Sequence, residues 1–236
     1  MQRYIVSVII ICVSLAGTCN AQTAIDTLLL EELEEMAKVD QLAAAHAHPP
    51  EEYIHLSQEE WEVKKDSIFR ANQNRIAEIF SEYGYPGFDQ LGKRGSSLFW
   101  LIVQHADFDP NFQKEVLDSM YVEVQKQNAD SRKYAFLTDR VQKNQGKKLI
   151  YGTQLDYNLF TGRARPLPTI DPLNLNKRRQ EVGLEPIEEY LDDMTKSHLQ
   201  GNPTILGITI PGLTIIIGLL LVFLTGTVII RKKMTS

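Results

Sequence analysis

The chain has 236 residues, of which 43% are hydrophobic and 23% are charged, and its formal net charge is −5. The two ends of the chain carry no acidic residue: residues 1–21 hold one basic residue and residues 201–236 hold three. Residues 22–200 therefore hold the other 21 basic residues and all 30 acidic residues, which gives this segment a net charge of −9. An acidic segment of this kind excludes a cationic nucleic-acid binder, and 14 glycines exclude a collagen-like chain.

Residues 1–21 have the pattern of a secretory signal peptide. Arg3 precedes an apolar run over residues 5–15, and Cys19 and Ala21 are the small residues expected before a cleavage site that follows Ala21. The run is too short to span a hydrocarbon core of about 30 Å. An uncleaved anchor and a lipid on Cys19 are the two alternatives. Cys12 and Cys19 are the only cysteines, so cleavage would leave a mature protein without disulfides or thiol chemistry.

Residues 22–56 predict an acidic helix followed by a linker. The helix is expected over residues 24–47, with an acidic face at 31–35 that is either solvated or contacts a basic partner. Pro49 and Pro50 end it. His46 and His48 could bind a metal from a strand or loop, but no third ligand lies nearby in the sequence. The pattern therefore favours a linker, and no metal site is predicted.

Residues 57–200 predict a compact, mainly α-helical domain outside the cytoplasm, with one small β-hairpin. Ser57 and Glu60 form a capping box that opens a helix ending near Tyr83. Ser96 or Ser97 is expected to open a largely buried helix, because the residues that follow are apolar nearly all round.

The rest of this domain is predicted from helix caps and from a change of periodicity. Residues 149–155 and 163–169 favour β structure and are expected to pair as the hairpin. Further helices are expected from Asp109-Pro110, over 131–144, over 177–182 with Asn174 as cap and Gly183 as stop, and from Pro186 toward residue 200.

Residues 204–230 predict one transmembrane helix, because they are 27 consecutive uncharged residues and about 20 suffice to span a bilayer. The basic residues 231–233 prefer the cytoplasmic side. Together with a secretory start, this predicts a single-pass membrane protein whose domain lies outside the cytoplasm, in the periplasm of a Gram-negative cell, with residues 231–236 as the cytoplasmic tail. Pro211 marks either a kink or the true start of the helix.

Four motifs occur in order along the chain. They are Gln104-His105-Ala106-Asp107, Leu137-Thr138-Asp139-Arg140-Val141, Tyr151-Gly152-Thr153-Gln154, and Arg178-Arg179 followed by Gly183-Leu184, Glu188 and Tyr190. Over about residues 80–192 the chain resembles a widespread, mostly bacterial family known only as a domain of unknown function. The resemblance implies a shared site, but it implies no reaction and no cofactor. The C-terminal apolar stretch is an addition to the family's pattern.

If the motifs converge, they form a site with one histidine, carboxylates and guanidinium groups. His105 oriented by Asp107 or Asp139 would be a general base near neutral pH. Arg140 or Arg178 would bind a carboxylate or phosphate through two parallel hydrogen bonds. The residues predicted to bind a ligand are Gln104, Tyr151, Gln154, Arg178 and Arg179.

Two functions follow from this site. The preferred one is a binding or interaction domain for a small anionic ligand or a protein partner. The alternative is a hydrolase or lyase that uses His105 as general base on an anionic substrate. The sequence has no serine-elbow, zinc or phosphate-loop motif, and His105 and Asp107 do not share a helix face on which to hold a metal.

The same residues also have a structural interpretation. His105 would bond a neighbouring carbonyl, and Asp139 would pair with Arg178 or Arg179, since buried charges need partners. A carboxylate bound to His105 in an open cleft would favour catalysis, whereas a sealed ring would favour the structural role.

Overall fold

The computed structural model describes residues 21–201, 204–205, 208–211 and 214–215, so the predicted cytoplasmic tail and nearly all of the predicted signal peptide lie outside the described residues. Within the described part, the chain forms seven α-helices and two small antiparallel sheets, which confirms the mainly helical prediction. The helices are α1 (Ala21–Ala45), α2 (Gln58–Tyr83), α3 (Phe88–Gln104), α4 (Pro110–Gln125), α5 (Ser131–Asn144), α6 (Leu175–Glu181) and α7 (Ile187–Gly201). The strands are β1 (Leu155–Tyr157), β2 (Ala164–Pro166), β3 (Thr204–Ile205) and β4 (Ile208–Thr209).

The first five helices, α1 to α5, form one hydrophobic core, and each of them contributes side chains to it. Fully or almost fully buried side chains include Leu33, Ile76, Phe99, Met120 and Leu137, one from each helix. The acidic helix α1 is therefore packed into the core through its apolar face. Of its acidic face, Glu31 and Glu35 are exposed, whereas Glu32 pairs with Arg75 of α2 and Glu34 pairs with Arg94 of α3.

Local side-chain chemistry opens three of the helices, two of them through the predicted caps. The Ser57 hydroxyl accepts from the Glu60 N–H, and the Glu60 carboxylate accepts from the Ser57 N–H at 2.8 Å, which completes the capping box of α2. Asp109 caps α4 by accepting from the Phe112 N–H, and Asp130 caps α5.

One predicted helix start and one predicted side-chain cap are wrong. Helix α3 begins at Phe88 rather than at Ser96 or Ser97, and it is kinked at Gly92, whose φ of 64° separates two helical stretches. Asn174 makes no side-chain cap on α6, since its amide donates to the Asp171 carboxylate at 2.7 Å.

The predicted hairpin is present, but its ladder is shorter than expected. Strand β1 pairs with β2 from Leu155 opposite Pro166 to Tyr157 opposite Ala164. Of the predicted first strand, Leu149 forms only an isolated bridge with Thr169, and residues 150–153 are irregular. The backbone N–H groups of Ile150, Tyr151 and Thr153 bond to a side chain of α5, as described below, and so are not available to a β-ladder.

No helix in the described part of the chain is long and apolar enough to cross a membrane. Most of the predicted span over 204–230 lies outside the described residues. At β3 and β4 the chain is extended, so the prediction of a helix from residue 204 is wrong for these residues. Both strands are Thr-Ile pairs, whose branched side chains favour strands, and the Thr209 N–H donates to the Phe160 carbonyl at 2.7 Å.

Candidate functional site

The predicted site residues do not share one hydrogen-bonded network. The structure places them in three sets of contacts. We call these the His105 pair (His105 and Asp40), the Asp107 cluster (Asp107, Gln113, Arg140 and Asn144) and the clasp (Asp139, residues 150–153, Arg178 and Arg179).

His105 is bound by a carboxylate that the sequence did not predict. It follows the last residue of α3, and its Nδ1 contacts the carboxylate of Asp40 on α1. The Asp40 side chain is completely buried and also accepts from the Asn72 amide at 3.3 Å, while the His105 side chain remains 23% exposed against the ring of Phe69. Asp40, rather than Asp107 or Asp139, therefore orients the ring.

The Asp40 contact assigns the tautomer of His105. A carboxylate only accepts, so Nδ1 carries the hydrogen and Nε2 of the neutral ring is left as an acceptor. Nε2 receives no hydrogen bond from the residues that the structure describes. A periodic signal for Asp40 was present in the sequence, since Leu29, Leu33 and Ala37 precede it at helical spacing and all are buried.

The Asp107 cluster joins the end of α3 to α4 and α5. Asp107 accepts from Arg140 at 2.7 Å, from the Asn144 amide at 2.8 Å and from the Gln113 amide at 3.2 Å. Gln113 is completely buried and donates also to two carbonyls at the end of α3. Burial alone would raise the pKa of Asp107, but the Asn144 amide, the Arg140 charge and the Gln113 amide outweigh it and lower that pKa.

The lowered pKa of Asp107 predicts a contribution to acid stability. Its folded pKa lies below the usual value of 3.8, so the stabilisation is complete above that value and is lost as the pH falls through the folded pKa. Asp107→Asn cannot ionise. We therefore expect this variant to lose less stability than wild type between about pH 5 and pH 2, measured by urea unfolding. Arg140→Gln, which removes one cause of the shift, should show part of this effect, and parallel curves for all three proteins would contradict it.

Asp139 of α5 organises the loop that precedes β1. Its carboxylate is completely buried and accepts from the backbone N–H groups of Ile150, Tyr151 and Thr153 at 2.7, 3.0 and 2.7 Å. It also accepts from the Thr153 hydroxyl at 3.0 Å. Four donors around one carboxylate fold residues 150–153 tightly against the helix.

The two arginines of α6 bind the carbonyl groups of the same loop. Arg179 is completely buried and donates to the Tyr151 carbonyl at 2.7 Å and to the Glu185 carbonyl at 2.7 Å. Arg178 donates to the Ile150 carbonyl at 2.8 Å. The predicted pairing of Asp139 with Arg178 or Arg179 is wrong, because Asp139 binds backbone donors and the arginines bind carbonyl groups.

The remaining predicted ligand-binding residues lie beside the clasp or in the core. Burial, with the nearby Tyr134 and Asp139, raises the pKa of Tyr151 to about 12. The Tyr190 hydroxyl donates to the Thr153 carbonyl at 3.0 Å. Gln154 accepts from the Leu167 N–H through its backbone carbonyl. The Gln104 side chain is buried, and its amide nitrogen has no partner within the described part of the chain.

Residues 59–199 match a family that is described as a family of unknown function, DUF6624. The chain belongs to this family. No curated protein and no solved structure matches the chain. The Asp107 cluster and the clasp lie wholly within the matched residues. Asp40 lies before them, so the carboxylate that orients His105 comes from outside the part of the chain that defines the family.

His105 lines none of four surface clefts that the described residues form. One of these clefts, of about 620 Å³, lies between the hairpin and α7. His105 is therefore a partly exposed ring on the surface between α1, α2 and α3 rather than the floor of one of these clefts.

Proposed function

We propose that the protein is a single-pass membrane protein that presents a helical binding domain outside the cytoplasm and contacts its ligand or partner through His105. The observation that carries the binding site is the geometry of the His105 pair. A completely buried carboxylate holds Nδ1, the side chain is 23% exposed, and Nε2 is left without a partner among the described residues. A ring held in this way can accept a hydrogen bond without losing further side-chain entropy.

The membrane topology is supported by the sequence. Residues 1–21 have signal-peptide organisation, residues 204–230 carry no charge, and residues 231–233 are basic. Green fluorescent protein fused after Ser236 should fluoresce, because this topology places the C-terminus in the cytoplasm. Alkaline phosphatase fused at the same point should stay inactive. The opposite pair of results would contradict the topology.

Recognition of an anion by the predicted arginines is not favoured for either function, because these side chains already have partners. Arg140 donates to Asp107, and Arg178 and Arg179 donate to backbone carbonyls. The second candidate, acid–base catalysis by His105, is supported by one observation, the carboxylate on Nδ1, which fixes the orientation of the ring as it does for a general base.

A ligand screen on the full-length protein in detergent tests the site. We expect a ligand that can donate a hydrogen bond to Nε2, such as the monohydrogen phosphate ion, or a divalent metal ion, to raise the Tm of wild type but not of His105→Gln, which lacks the imidazole. His55→Gln is the matched control, since His55 is exposed elsewhere on the surface. Equal shifts in all three proteins would place the ligand elsewhere. Turnover of the ligand by wild type and not by His105→Gln would favour the catalytic candidate.

A further inference from the structure

We propose that the tip of the β1–β2 hairpin rests on the bilayer surface, with Leu159 and Phe160 in the headgroup region and Arg163 on a lipid phosphate. This inference depends on the membrane anchoring proposed above. It adds a second contact with the bilayer, made by the folded domain itself.

The tip is a rigid turn that displays two apolar side chains. Leu159 is 50% exposed and Phe160 is 41% exposed. The Asn158 carboxamide accepts from the N–H groups of Phe160 and Thr161 at 3.0 and 2.9 Å, and Gly162 closes the turn with a φ of 67° and a bond to the Asn158 carbonyl. Exposed apolar groups on a preformed turn lose little entropy when they enter another phase.

The position of the uncharged stretch beside the tip indicates that the apolar side chains enter a lipid bilayer. The Thr209 N–H donates to the Phe160 carbonyl at 2.7 Å, and the Thr209 hydroxyl donates to the Leu159 carbonyl. Thr209, the sixth of the uncharged residues 204–230, is therefore hydrogen-bonded directly to the tip. If this stretch enters the bilayer, Leu159 and Phe160 must lie at its surface, and Ile210, which is 50% exposed, extends the same apolar area.

Charge at the base of the tip is compatible with anionic headgroups. Arg163 is exposed and forms no ion pair with any described residue. It lines the cleft of about 620 Å³ between the hairpin and α7, together with Asp192 and with Lys196, which pairs with Asp193 at 3.2 Å. Cationic side chains beside exposed aromatic and aliphatic ones are the combination found at membrane interfaces.

The hairpin is also fixed to the domain, so the tip cannot swing away from the surface freely. The ring of Tyr157 stacks on His198 of α7 with centroids 4.0 Å apart, and the Ala164 N–H donates to the Thr195 hydroxyl at 2.9 Å. Contact of the tip with the bilayer would therefore fix the orientation of the whole domain relative to the membrane.

Depth-dependent fluorescence quenching of the full chain tests this contact. Three single-cysteine variants, Phe160→Cys, Val63→Cys and Leu220→Cys, are labelled with an environment-sensitive dye. The native Cys12 and Cys19 are absent from these proteins, because signal cleavage removes them or serine replaces them. The protein is placed in nanodiscs of phosphatidylglycerol and phosphatidylcholine that contain spin-labelled lipids. Val63 is 66% exposed on α2 and is the matched control for an exposed apolar position.

The expected result is loss of fluorescence at position 160 with a headgroup spin label, loss at position 220 with an acyl-chain spin label, and no loss at position 63. Arg163→Gln should reduce the quenching at position 160. Quenching at 220 without quenching at 160 overturns the inference and leaves the anchor intact. No quenching at 220 refutes the anchor, and equal quenching at 160 and 63 shows that no particular face contacts the bilayer.

Discussion

Replacing Asp139 with alanine is expected to lower the free energy of unfolding by about 3–5 kcal/mol. The carboxylate is completely buried and accepts four hydrogen bonds, three of them from backbone N–H groups of residues 150–153. Alanine would leave these donors buried without acceptors, and each unsatisfied group costs about 1–3 kcal/mol before the loop relaxes.

Denaturant unfolding of Asp139→Ala measures this effect, with Asp118→Ala as the matched control. Asp118 has a side chain 63% exposed and pairs with Lys114 one turn away, an arrangement worth about 0.5 kcal/mol or less. Asp139→Asn should fall between wild type and Asp139→Ala, because one half of the amide is a donor facing other donors. Similar midpoints for Asp139→Ala and Asp118→Ala would show that the loop does not depend on the carboxylate.

Replacing Arg179 with methionine is expected to lower the free energy of unfolding by about 2–4 kcal/mol. Two effects oppose each other at this position. Burial of the guanidinium is costly, and it lowers the pKa of Arg179 although the Glu185 carboxylate favours the charged form. Methionine removes that cost, but it leaves the Tyr151 and Glu185 carbonyls without their donors and removes the stacking on Tyr190 at 4.9 Å. We expect the second effect to be larger.

The matched control for Arg179→Met is Arg165→Met on the hairpin. Arg165 has a side chain 64% exposed and pairs with Asp156, so its replacement should change stability by about 0.5 kcal/mol or less. Because Asp139 and Arg179 act on the same loop, the double variant should be less destabilised than the sum of the single variants. Full additivity, or equal stability of Arg179→Met and Arg165→Met, would refute the clasp as one structural unit.

The clasp changes which motif residues are candidates for function. Asp139, Arg178 and Arg179 bind the backbone of residues 150–151 from opposite sides, so their presence is explained by folding. His105 is different, because its ring is held and partly exposed while Nε2 has no partner in the described part of the chain. For this reason the proposed binding site is centred on His105 and not on the arginines.

Much of the helical fold was predictable because it depends on interactions within one turn. The bonds between Ser57 and Glu60 and the cap at Asp109 join residues three apart, so residue type and spacing identify them. The hairpin was predictable in place but not in length. Its predicted first strand is diverted by Asp139, whose bonds to residues 150–153 cross 11 to 14 positions of the chain.

The predicted carboxylate partners of His105, Asp107 and Asp139, were wrong because the true partner is decided by how the helices pack. Asp40 is 65 residues from His105 in the chain, and the two meet only because α1 lies against α3. The helical spacing of Leu29, Leu33, Ala37 and Asp40 indicates a buried face, but no spacing indicates which residue a buried carboxylate will face.

The sequence by itself determined that the chain carries an acidic, mainly helical domain between two ends with no acidic residue, and it predicts the membrane topology. The charge and the topology follow from hydrophobicity and charge summed along the chain, and the helical class follows from caps and periodicity, which join residues near in the sequence. Only the tertiary structure decided which carboxylate holds His105, that Arg178 and Arg179 bind backbone carbonyls, and that Thr209 lies against the hairpin tip. These contacts join distant residues, and their free energies depend on burial and distance, which arise only when the helices pack.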